Sequence, residues 1–99
     1  MADIEYLRNE FHKDMIRILD REHEIGLCSH RFRQMIEDYG GLETAHRLLK
    51  VNPEPMFQFF RDKKRLDLSL EYYVVMDKYK PLFTESERDI AKWRLSEGP

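Results

Sequence analysis

Arg31-Phe-Arg-Gln-Met-Ile-Glu-Asp-Tyr-Gly40-Gly41-Leu-Glu-Thr-Ala-His-Arg-Leu-Leu49 is the stretch whose reading decides the fold. Phe32, Met35, Ile36 and Tyr39 recur at i, i+3, i+4 and i+7, which places them on one stripe of a helix. Gly40 suits the positive-φ residue that closes such a helix, because it lacks a Cβ. Leu42, Ala45, Leu48 and Leu49 then resume the spacing on a second short helix. Neither helix is long enough to stand alone in water, so both stripes must be buried against other elements.

Upstream, Ile4, Leu7, Phe11, Met15, Ile18 and Leu19 keep helical periodicity from residue 3 to about 24, with Asp3 as candidate N-cap. Arg8, Asn9, Lys13, Arg17, Asp20 and Arg21 form the opposite, solvated face. Gly26 can end this helix and Ser29 can cap the next. Downstream, Pro53 and Pro55 interrupt the chain, and Pro55 fits the first turn of a helix carrying Phe57, Phe59 and Phe60 toward the core. Residues 66–76 read as a helix capped by Asp67 or Ser69, and 77–81 as a loop. Thr84 and Glu87 have the spacing of a capping box for a last helix running to about Leu95. The expectation is an all-α single domain over residues 1–99. It has five or six short helices, a long N-terminal helix and no sheet.

Composition narrows the function. At 99 residues, 41% hydrophobic and 36% charged, the chain can build one core. Its net charge of −2 supplies no general attraction to nucleic acid or anionic lipid. The single cysteine suits a reducing compartment, and the acidic N-terminus has no signal-peptide character. No apolar run approaches the roughly 20 residues needed to span a bilayer, so the expected location is the cytoplasm, without membrane association.

The pattern Arg31-Phe32…Met35…Gly40-Gly41…Thr44-Ala45…Leu48-Leu49, followed by Arg65-Leu-Asp-Leu-Ser-Leu-Glu71 and Leu82-Phe-Thr84…Glu87, resembles a small helical module of bacterial proteins. That module occurs alone or joined to other domains and has no assigned biochemical activity. The resemblance spans about residues 11–95. The chain departs from it in Lys64, where the pattern has glycine, and in Tyr72-Tyr73, where smaller residues are usual. It implies a cytoplasmic all-helical accessory domain and supplies no catalytic residues.

Residues in this chain suggest four chemistries. His23, Cys28 and His30 could ligate zinc, but a closed site needs four ligands, usually in spaced pairs, so no metal or other cofactor is expected. Cys28 with His23 or His30 could form a thiolate–imidazole pair, yet no phosphate loop, His-Glu-x-x-His or Gly-x-Ser-x-Gly frame accompanies it, so no enzyme is expected. Helix, glycine turn and helix over 31–50 is the outline of a helix-turn-helix, in which Arg31, Arg33, Thr44, Arg47 and Lys50 would contact DNA. Set against it are the negative total charge and Glu43 near the reading end. The favoured class is a non-catalytic protein-interaction module with Tyr6, Tyr72, Tyr79 and Trp93 as an exposed aromatic surface, since Tyr and Trp are the usual interface anchors. Its partner would be another protein or a second copy of the chain.

Overall fold

The longest apolar stripe of the chain becomes its central helix. In a computed structural model describing residues 3–26, 30–51 and 55–96, α1 spans Ile4–Glu24 and buries Leu7, Phe11, Met15, Ile18 and Leu19. The Asp3 side chain accepts from the Glu5 amide at 2.9 Å and caps its start. Gly26, with φ +82°, closes its end. Ile4, at the start of the stripe, stays 45% exposed.

The chain continues as α2 (His30–Leu49), α3 (Pro55–Asp62), a 3₁₀ turn (Leu66–Leu68), α4 (Leu70–Val74), a second 3₁₀ turn (Asp77–Leu82) and α5 (Glu85–Ser96). α2, α4 and both 3₁₀ turns pack on α1, while α5 packs on α2 and α4, and α3 on the first 3₁₀ turn. No strand occurs among the described residues, and the protein is all-α. One hydrophobic cluster draws on all five α-helices, from Phe11 and Ile18 through Leu48, Leu49 and Phe60 to Leu70, Val74 and Ala91. Phe59 packs half-buried against it.

Two local readings are corrected. Residues 66–76 are not one helix. Ser69 is extended (φ −85°, ψ 157°), its hydroxyl donates to Leu66 O at 2.7 Å, and it accepts from the Tyr72 amide at 3.4 Å. It therefore ends a 3₁₀ turn and starts α4, while Asp67 pairs with Arg65 at 3.1 Å instead of capping. Residues 77–81 are not a loop but most of the second 3₁₀ turn, in which residues three apart eclipse. Tyr79 and Leu82 are thereby both buried in the core cluster. Tyr79 is fully buried, edge-on to Phe11 at 5.0 Å, and its hydroxyl donates to Asp14. The expected exposure of Tyr79 is thus overturned by the turn that carries it.

α3 ends on a Schellman closure: the Arg65 amide donates to Phe60 O at 2.7 Å and the Lys64 amide to Arg61 O at 3.0 Å. Lys64 occupies the left-handed position, φ +58°, that glycine usually fills. The capping box at the start of α5 forms as read, Thr84 N–H to Glu87 at 2.9 Å and Glu87 N–H to Thr84 Oγ1 at 3.1 Å.

Candidate functional site

The two adjacent glycines of α2 have separate reasons to be glycine. Gly40 alone departs from helical geometry, at φ 83°, ψ 164°, a region open essentially to glycine. A Cβ there would meet nothing within 4 Å, so its constraint is backbone conformation, not space. Gly41 is helical, but a Cβ on it would lie 2.8 Å from His12 Cα and 3.1 Å from Met15 Cγ. At Gly41 the backbones of α1 and α2 approach too closely to admit a side chain. The result is an elbow with arms 30–39 and 41–49.

The elbow exposes what the helical spacing had assigned to the core. Tyr39 is the last residue before the bend, and the change of direction leaves it 46% exposed. A cleft of about 450 Å³ opens on one side of it, between α1 and the start of the second arm, lined in part by Arg8, His12, Gly41, Leu42 and His46. A second cleft, of about 620 Å³, opens on the other side, lined by Arg31, Met35, Arg47, Lys50 and Val51 among others. Tyr39 and Glu43 line both. The Arg47 guanidinium sits over the Tyr39 ring, 3.9 Å from its centroid, and lies 3.7 Å from Glu43.

Two histidines fix the first cleft. The Gly41 N–H donates to His12 Nδ1 at 2.9 Å, so α1 supplies the acceptor for an amide that the second arm cannot satisfy itself. His46 Nδ1 lies 2.5 Å from Glu87 Oε2, with its ring centroid 5.0 Å from that of Phe83, tying the second arm to the start of α5. Burial opposes ionisation of Glu87, but the Thr84 amide and His46 hold its carboxyl below the ordinary value.

Of the residues singled out for DNA contact, Arg31, Arg47 and Lys50 share the second cleft. Arg33 is exposed but does not line it; its charge acts on the buried Glu22. Thr44 is fully buried on the inner face of the second arm, and its hydroxyl has no hydrogen-bond partner among the described residues, so it cannot touch DNA. The exposed stripe of that arm is Glu43, Arg47 and Lys50. Of the four aromatics proposed as an interaction surface, Tyr6, Tyr72 and Trp93 are exposed, at 57%, 42% and 49%, but they line neither cleft beside Tyr39, and Tyr79 is in the core.

Tyr39, Arg8 and His12 went unread as site residues. Tyr39 fits the apolar stripe and Arg8 fits the solvated face; only the bend at Gly40 turns them toward each other. The sole signal was that Tyr39 directly precedes the glycine that ends its helix. Among the described residues no three His, Cys, Asp or Glu side chains converge as a metal site would, and Cys28 lies outside them. Nor, among those residues, is any helix long and apolar enough to cross a membrane. No protein-family model, curated protein or solved structure matches the chain.

Proposed function

We propose that this chain is a non-catalytic, cytoplasmic protein-interaction module whose docking face is the elbow of α2. The carrying observation is Tyr39, a half-exposed aromatic that lines two clefts at once, with Arg47 stacked on its ring. Tyr and Arg are the residue types in which binding energy concentrates. Met35, Leu42 and Val51 add apolar lining beside them. The resemblance to bacterial accessory modules supports the same class, and the single cysteine supports a reducing compartment.

The test is co-purification from the native host at low salt, with and without nuclease. Wild type, Tyr39→Ala and Trp93→Ala are compared. The expected outcome is a protein retained after nuclease treatment by wild type and Trp93→Ala and lost by Tyr39→Ala. Retention by Tyr39→Ala with loss by Trp93→Ala would move the docking face to α5.

A second reading, nucleic-acid binding, is favoured by one observation, the convergence of Arg31, Arg47 and Lys50 on one cleft. Glu43 and the burial of Thr44 weigh against base reading by the second arm. Under that reading the co-purified material is nuclease-sensitive and its retention falls steeply with salt.

A further inference from the structure

Resting on the elbow as the docking face, we infer that its occupant is an acidic segment of a partner protein, with aspartate or glutamate flanking a bulky apolar side chain.

The argument is charge complementarity confined to one place. The whole chain carries −2, yet the two clefts together are lined by four cations, Arg8, Arg31, Arg47 and Lys50, against one carboxylate, Glu43. That carboxylate already has Arg47 beside it. Neither Arg8 nor Lys50 has an ion-pair partner among the described residues. A local positive concavity on a negative protein steers anionic partners to itself and repels the rest of the surface from them.

The lining distinguishes an acidic peptide from a nucleic acid. The cations rim concave space whose walls include Met35, Leu42, Leu48 and Val51. Apolar walls suit an apolar side chain inserted between flanking carboxylates. Duplex DNA asks instead for an element that projects into a groove. Here the second arm offers only the stripe Glu43, Arg47 and Lys50, with its acidic member at the amino end. Tyr39 and Arg47 supply the central anchor, and the Arg47 fork matches a carboxylate in two-point geometry.

The test uses the full chain, ¹⁵N-labelled, titrated with a mixed set of short peptides built from Asp, Glu, Leu and Phe. The same set with Lys replacing the acids, and a mixed-sequence DNA duplex, are titrated in parallel. The expected result is saturable shifts at Arg31, Tyr39, Arg47 and Lys50 with the acidic set, none with the basic set, and affinity falling as salt rises. The double variant Arg47→Glu/Lys50→Glu, both at exposed positions, should weaken acidic binding by about tenfold or more while its ¹⁵N spectrum outside the elbow stays that of the folded wild type. Acidic peptides that do not bind, or bind equally to the double variant, overturn the inference. So does duplex DNA that binds in their place. If a host protein is lost on Tyr39→Ala but kept by the double variant, the docking module stands and its acidic occupant falls. If neither variant loses a protein, both fall.

Discussion

Arg94 on α5 donates to the Glu71 carboxylate on α4 at 3.0 Å, with both side chains about 5% exposed or less. The same guanidinium donates to Leu48 O at 3.2 Å, in the last turn of α2, and to Val51 O just beyond it. Arg61 on α3 donates in turn to the Arg94 carbonyl at 2.6 Å. One buried cation thus joins α2, α4 and α5, with α3 attached. Burial pushes the Glu71 carboxyl up, against the pull of its backbone hydrogen bond and of Arg94.

Removing one partner of this pair leaves the other charge buried. Glu71→Ala should therefore destabilise by about 3–5 kcal/mol in urea denaturation. A paired Glu71→Leu/Arg94→Met variant should not recover fully, because the Leu48 and Val51 carbonyls lose their donor. A double variant as stable as wild type would show that those carbonyls find water.

Lys64 carries the left-handed conformation at the end of α3. Lys64→Gly relieves that strain and gives back part of the gain through the looser unfolded chain. The net expectation is stabilisation by roughly 0.5–1 kcal/mol, read as a rise in melting temperature.

The two elbow glycines should fail differently. Gly40→Ala should cost about 1–3 kcal/mol through backbone strain. Gly41→Ala should cost about as much by overpacking against the His12 backbone, and should additionally shift the amide resonances of His12 and Met15. Equal, local perturbation by both would contradict the close approach of α1 at Gly41.

Glu22 on α1 is 1% exposed, and burial raises its carboxyl from 4.5 to about 7, opposed by the charge of Arg33. The folded state therefore holds this proton more tightly than the unfolded one. Its stabilising contribution is complete below about pH 4.5, declines as pH rises through about 7, and is flat above. Glu22→Gln should remove that decline and make the protein more stable than wild type near pH 8 by about 1–3 kcal/mol. Parallel stability–pH curves for the two proteins would contradict it.

What was legible in the sequence was local. α1 announces itself because its apolar spacing persists from Ile4 to Leu19, and the Thr84–Glu87 box because both partners lie within one turn. Gly40 was legible as a positive-φ glycine, but its role could not be told apart from that of Gly41, which depends on α1 lying against it. Nothing in the local sequence around Glu71 or Arg94 marks the two as a pair. Their pairing spans 23 residues and exists only once α4 and α5 meet. Tyr79 read as exposed because nothing in Asp77-Lys-Tyr-Lys-Pro81 signals a 3₁₀ turn whose Pro81 ring and Tyr79 ring face different ways. The cleft escaped for the same reason: it is built by a bend.

Arg94 and Glu87 also set an order of assembly. Both belong to α5, and between them they hold the second arm of α2 at His46 and at the Leu48 carbonyl. During synthesis those holds do not exist until the ribosome has released α5, long after the arm itself has emerged. A nascent chain that has passed Leu82 but not Ser96 carries a second arm with its terminal carbonyls and His46 unheld. Proteolysis of ribosome-arrested chains should find that arm open before α5 emerges and closed after. The walls of the elbow are therefore finished in one late event, when α5 emerges.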